Sequence, residues 1–181
     1  MRPLTFITSS PQKLAEVERL LGRPLRQAAL PLEEIQAIAL EPVIAHKARQ
    51  AYGLVGSPVL VEDTGLSFAA WNGLPGALVK WFLTALGPEG MCKLLRDETN
   101  RAATAATLFG YYDGALYRVF SGAVSGLVPQ TPRGTAGFGW DAIFQPLGST
   151  RTFAEMTPEE KDRFSMRRRA VDELRASGVL A

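Results

Sequence analysis

The feature that most limits what this chain can become is the segment Pro58-Val-Leu-Val-Glu62-Asp63-Thr64-Gly65. Pro58 to Glu62 is a compact apolar run of the kind that forms a buried strand, and it ends in two adjacent carboxylates. Buried carboxylates are costly unless something positive neutralises them. A strand tip facing a cleft is also where α/β proteins place their sites. A divalent cation, held by one or two carboxylates and by substrate phosphates, meets both conditions. An acidic turn capping the next segment is the plainer alternative.

Residue counts narrow the chemistry. The chain has one histidine, His46, and one cysteine, Cys92, so zinc sites of the His/Cys type are excluded. A Ser-His-Asp or Cys-His apparatus would have to use His46, which sits in an alanine-rich helical stretch far from any nucleophile motif. A structural or surface role is expected for it. Any metal must then be held by carboxylates, which points to magnesium or manganese. A lone cysteine forms no intrachain disulfide, and a cytoplasmic location is expected. The net charge of +2 gives no nucleic-acid footprint. The short basic run Arg167-Arg168-Arg169 reads as a solvated helix start. The apolar stretch at the N-terminus is too short for a signal peptide, and no segment approaches the ~18 consecutive apolar residues of a membrane helix. With 181 residues, 46% of them apolar, one domain is expected, with or without two lobes.

Patterning predicts a mixed α/β order. Leu4 to Thr8 reads as a strand broken at Ser9-Ser10-Pro11, followed by a helix from Gln12 to Leu21 ending at Gly22. Leu25 to Leu30 reads as a short strand and Pro42 to Tyr52 as a helix. Gly73 to Gly76 is a turn. Ala77 to Leu86 is an aromatic-rich helix stopped by Gly87, and Pro88 to Glu98 is another. From Ala102 the period shortens: Ala102 to Tyr112, Ala115 to Ser121 and Ala123 to Val128 read as strands, with a hairpin at Asp113-Gly114. These long antiparallel strands predict a second lobe. Thr157-Pro158-Glu159-Glu160 opens a helix, and a last one runs from about Ser165 to Ala176.

Four further segments carry candidate chemistry. Thr8-Ser9-Ser10-Pro11-Gln12-Lys13 leads into a helix, where free backbone N–H groups, hydroxyls and a lysine suit a polyphosphate. It is not a P-loop, and taken alone it reads first as an ordinary N-cap loop. Leu32-Glu33-Glu34-Ile35 is a second acidic pair. Gly137-Phe138-Gly139-Trp140-Asp141 combines close backbone approach with aromatic stacking faces and an acceptor. In the tail, Lys161 suits a phosphate as a point charge and Arg167 suits planar recognition. Each has an ordinary structural explanation when taken alone.

Taken together and in order, the segments resemble the inosine triphosphate pyrophosphatase family. Thr8 to Lys13 with Glu16-Val17 is similar to the family's opening pattern. Val61-Glu-Asp-Thr-Gly-Leu66, Gly73 to Gly76 and Lys80-Trp-Phe-Leu83 resemble its central signature. Gly137 to Asp141, Glu155-Met156, Lys161 and Ser165-Met-Arg167 resemble the later ones. The resemblance covers nearly the whole chain. It implies one domain over 1–181: an elongated, two-lobed α/β subunit with a central mixed sheet and an active-site cleft between the lobes, paired as a homodimer. It also implies hydrolysis of inosine, deoxyinosine and xanthosine triphosphates to the monophosphate and pyrophosphate, with magnesium, or manganese, as cofactor.

Carried over residue by residue, Asp63 is the essential carboxylate, a metal ligand and a base for water, with Lys13 beside it in catalysis. Glu34 and Glu62 complete the metal set. Lys13, Lys47, Lys80 and Lys161 contact phosphate, as do Thr8, Ser9, Ser10 and Thr64. Phe138, Gly139, Trp140 and Asp141 contact base and sugar, and Met166 and Arg167 read the base. Three residues depart from the family pattern: Ser9 and Ser10 replace glycine and asparagine, and Met166 replaces a histidine. Methionine donates no hydrogen bond, which bears on base selection. The alternatives are a related pyrophosphatase for pyrimidine or modified nucleotides, and a nucleotide-binding regulator without catalysis.

Overall fold

The computed structural model describes residues 4–180. One mixed sheet runs through the molecule. Its strands are β1 (Thr5–Ile7), β2 (Arg26–Ala28), β3 (Val59–Phe68), β4 (Pro75–Gly76), β5 (Ala102–Tyr112), β6 (Tyr117–Leu127) and β7 (Gln145–Pro146). The order is β2-β1-β3-β5-β6-β7, with β4 added on β3. β1 is parallel to β2 and β3, and the rest is antiparallel. The helices are α1 (Pro11–Leu21), α2 (Leu40–Val55), α3 (Val79–Leu94), α4 (Pro158–Asp162) and α5 (Met166–Ala176).

Strand alternation sorts the side chains of β3 into two sets. Val59 and Val61 join a core under α2 that includes Ile44, Ala48 and Leu108. Leu60 joins Val17, Leu20, Phe109, Ala170 and Leu174 beneath α1 and α5. Farther along the same face, Leu66 and Phe68 join Met91, Leu95, Phe144 and Phe153 beneath α3 and the segment before α4. The two ends of the sheet therefore bury different cores.

Several expectations take a different form. β3 does not stop at Glu62 but runs through the acids to Phe68, registering with β5 from Val59↔Tyr112 to Phe68↔Ala103. Leu66-Ser67-Phe68 resumes the alternation, so Thr64-Gly65 does not end the strand. The long antiparallel strands are accordingly the continuation of the central sheet rather than a separate one. The segments Ala115 to Ser121 and Ala123 to Val128 form one strand, β6, passing straight through Gly122. That glycine answers to packing: a Cβ there would lie 2.0 Å from the Met166 carbonyl oxygen at the start of α5. The expected break at Gly87 is present as left-handed backbone (φ 65°) inside α3, separating its two halves.

Candidate active site

β1 pairs with β3 only over Val59–Val61, and β4 only over Leu66–Ser67. Between them Glu62 to Gly65 have a strand partner, β5, on one side alone. A cleft of about 770 Å³ opens at this gap. Glu62 and Asp63 leave β3 on opposite faces, yet at the gap both reach the same opening.

On the α2 face stands a half-open cluster. The Lys47 ammonium lies 2.9 Å from Glu34 Oε1 and 3.0 Å from Asp63 Oδ2, and the exposed Lys80 lies 3.5 Å from Glu34 Oε2. Asp63 Oδ1 accepts the Thr64 N–H at 2.9 Å. Glu34 reaches the cluster from the irregular segment between β2 and α2. Burial alone would raise the Glu34 carboxyl and lower the Lys47 ammonium. Their mutual attraction, with Lys80 and Asp63, reverses both directions and keeps both groups charged.

On the α1/α5 face stands a buried cluster. Arg167, 1% exposed, holds its Nη1 2.8 Å from Glu16 Oε2 as an ion pair and donates from Nη2 to Glu62 Oε1 at 3.0 Å. Lys13 lies 2.9 Å from Glu62 Oε2, a charge contact outside hydrogen-bond alignment. Burial opposes every charge here. Even so, Lys13 and Arg167 lower the Glu62 pKa, and Glu62 and Glu16 raise that of Arg167. Glu62, expected beside Asp63 among metal ligands, thus has both oxygens engaged by cations of the other face. Arg167 is no solvated helix start; α5 turns it inward and leaves Arg168 and Arg169 exposed.

The turn Gly137 to Asp141 closes the far end. Asp141 Oδ2 accepts the Phe138 N–H at 2.9 Å and the Lys161 ammonium at 2.8 Å, so this carboxylate is committed to shaping the turn. Gly137 (φ +75°) leaves room for it, since a Cβ would lie 2.2 Å from that oxygen. Lys161 and Arg167 both sit over the Phe138 ring, at 5.2 and 5.7 Å from its centroid. Trp140, expected as a stacking face, lines the cleft while being 6% exposed and packed edge-on to Phe144. Met166, 2% exposed, lines the cleft beside it. At the near end Ser10 caps α1, accepting from Lys13 N at 3.2 Å, while Thr8 Oγ1 accepts from Ser10 N at 3.1 Å. Thr8, Ser9, Thr64 and Gly139 also line the cleft.

Among the described residues no three His, Cys, Asp or Glu side chains converge as a metal site. Two do: Glu34 and Asp63 already share a single cation, the Lys47 ammonium. An oxygen pair of this kind suits magnesium, which takes one or two carboxylates and completes its shell with phosphate and water. Glu16, buried between Arg167 and Lys161, escaped the sequence reading as a site residue. Its signal was its place three residues after Lys13 on α1. Cys92 is buried and its thiol pushed up to about 11, so it is no nucleophile. His46 lies outside the cleft lining, 4.0 Å from Glu33. No helix among the described residues is long and apolar enough to cross a membrane.

The chain is similar to known proteins over nearly its whole length. The chain is 40% identical over 179 residues to the inosine triphosphate pyrophosphatase of Schizosaccharomyces pombe, covering 97% of this chain and 94% of that one. It is 41% identical over 173 residues to the dITP/XTP pyrophosphatase of Thermococcus kodakarensis, covering 94% of each. Among solved structures, a HAM1 protein from Coxiella burnetii superposes with a TM-score of 0.86 at 27% identity over the full length of both chains. A nucleoside-triphosphatase / dITP/XTP pyrophosphatase from Mycobacterium abscessus superposes with a TM-score of 0.76 at 30% identity, over 94% of this chain and 97% of that one. The Ham1 family model matches residues 4–177, and the chain belongs to the Ham1 family.

Proposed function

We propose that this chain is a nucleoside-triphosphate pyrophosphatase that hydrolyses non-standard purine nucleotides, those of inosine, deoxyinosine and xanthosine, to the monophosphate and pyrophosphate. One observation carries the reading. A single cleft joins lysines, hydroxyls and the Glu34–Asp63 pair at one end to Phe138, Met166 and Arg167 at the other. The first set suits a triphosphate and the second a base. Relatives at about 40% identity bear the matching names.

Lys13, Lys47 and Lys80 bind the triphosphate as point charges, with the Thr8, Ser9, Ser10 and Thr64 hydroxyls around it. Magnesium, held by Asp63 and Glu34, would offset phosphate charge and polarise the phosphoryl oxygens. Asp63 orients a water and takes its proton as the water oxygen bonds to the α-phosphorus. The bridging Pα–O bond breaks and its electron pair leaves with pyrophosphate, whose charge the lysines match. No covalent nucleophile is needed, consistent with the inert Cys92. Hydrolysis of a panel of inosine, xanthosine, deoxyinosine and the four standard triphosphates, with pyrophosphate detection, tests the reading. Preference for the standard nucleotides would reject it. Activity should vanish with chelator and return with magnesium.

The reading includes a homodimer, supported by the exposed Trp81 and Leu86 on α3, and a cytoplasmic enzyme with no nucleic-acid or membrane partner. Light scattering at micromolar concentration showing only 19.6 kDa particles would reject the dimer.

A further inference from the structure

Glu62 occupies an unusual place in the cleft. Its side chain is 1% exposed, and its two oxygens serve different ends of the site. Oε2 faces Lys13 at 2.9 Å, on the helix that begins at the phosphate-suited loop. Oε1 takes Nε and Nη2 of Arg167, at 3.3 and 3.0 Å, beside the base-suited ring of Phe138. The ion pair of Asp63, the next residue, lies on the α2 face, with Lys47. The strand's alternation therefore separates two carboxylates that the sequence places side by side.

We propose that Glu62 is a positioning residue, not a metal ligand, and that it couples the phosphate end of the cleft to the base end through Lys13 and Arg167. This rests on the function proposed above. A carboxylate shared by two cations links their positions: when one cation is drawn to a ligand, the other becomes the main counter-charge of Glu62. Arg167 has a second carboxylate, Glu16, so it retains an anchor while its orientation shifts. Phosphate held by Lys13 thereby changes how Arg167 meets the base, though Lys13 does not touch the base.

Glu62→Gln tests this, since glutamine keeps the shape and loses the charge. Affinity for Mn2+ alone, read by electron paramagnetic resonance, should stay within about twofold of wild type, whereas Asp63→Asn should lower it at least tenfold. Affinity for inorganic tripolyphosphate without metal should hold or rise, because a negative charge leaves the site. For inosine triphosphate kcat should fall about tenfold, and the ratio of kcat/KM for inosine over adenosine triphosphate should fall several-fold. Loss of Mn2+ affinity matching that of Asp63→Asn would overturn the proposal.

The reciprocal variant guards against a folding defect in Glu62→Gln. Lys13→Met should move the inosine-to-adenosine ratio at least twofold, and should move it no further in the Glu62→Gln background. An unchanged ratio in Lys13→Met overturns the coupling. The Mn2+ and tripolyphosphate measurements do not depend on which nucleotide is preferred, so failure of this proposal and failure of the proposed function are distinguishable.

Discussion

The two charge clusters flanking β3 are built from the same residue types and do different work. On the α2 face the Glu34 side chain is 40% exposed and Lys80 70%, so these charges exchange partners with solvent and ligand easily. On the α1/α5 face the side chains of Glu16, Glu62, Asp141, Lys161 and Arg167 are all below 10% exposed, and each charge depends on its neighbours. Exposure, more than composition, distinguishes the two clusters. The comparison predicts that variants on the open face cost activity and leave the fold intact, while variants on the buried face cost stability as well.

The largest effect should come from Asp63→Asn. Loss of the proposed base and metal ligand should lower kcat about 100-fold or more, with the fold intact and a smaller loss of stability than on the buried face. Turnover within a few-fold of wild type would break the assignment of the open cluster. Arg167→Leu should cost stability as well as activity, because it leaves Glu16 and Glu62 without their shared cation. A cost of about 3–5 kcal/mol in urea unfolding is expected for such a broken buried pair. A loss below about 1 kcal/mol would show that the buried cluster relaxes freely. Gly122→Ala should cost about 1–3 kcal/mol, because the new methyl meets the Met166 carbonyl and pushes α5 away from β6.

A smaller effect sharpens the base end. Met166→His should raise the inosine-to-adenosine ratio of kcat/KM several-fold, since one neutral hydrogen bond is worth about 0.5–1.5 kcal/mol. A donor there favours a 6-keto base over a 6-amino one. An unchanged ratio would show that the side chain at 166 does not read the base. The smallest effect concerns pH. Glu34 and Glu62 have lowered pKa values, so their contribution is complete above the ordinary glutamate range near ~4.3 and fades as pH falls through the lower folded values. Lys47 is raised, so its share persists below the ordinary lysine range near ~10.4 and is lost as pH rises through the folded value. A melting temperature flat between about pH 5 and 9, falling on either side, is the expected profile.

Much of this was legible in the chain. The helix of Gln12 to Leu21, the hairpin at Asp113-Gly114 and the capped start at Thr157 follow from local signals, and the structure keeps them within a few residues. Asp63 stood out as one of two adjacent carboxylates at the end of an apolar run, whereas Glu34 entered only through the family resemblance, its own segment reading as a solvated helix start. Burial was not legible. Arg167 sits in a run of three arginines, and only the phase of α5 against α1 and β5 decides which one turns inward. Nor does a sequence say that Trp140, at the cleft wall, is already packed against Phe144 and Phe153. Gly122 read as an interruption because its reason lies in Met166, far along the chain.

The pairing of Arg167 with Glu62 spans 105 residues, and its other partner, Glu16, lies on the first helix. A ribosome releases the N-terminal helix and the central strand long before it releases the arginine that neutralises them. Until then Glu16 and Glu62 have only the nearby lysines for company, and closing the interior over them is unfavourable. Burial of these acids therefore waits on α5. A chain truncated before α5 would lack both the arginine and the packing of Ala170, Val171 and Leu174, and would present its acids to water instead of a finished pocket. The ion pair that shapes the cleft thereby makes its interior depend on the arrival of α5.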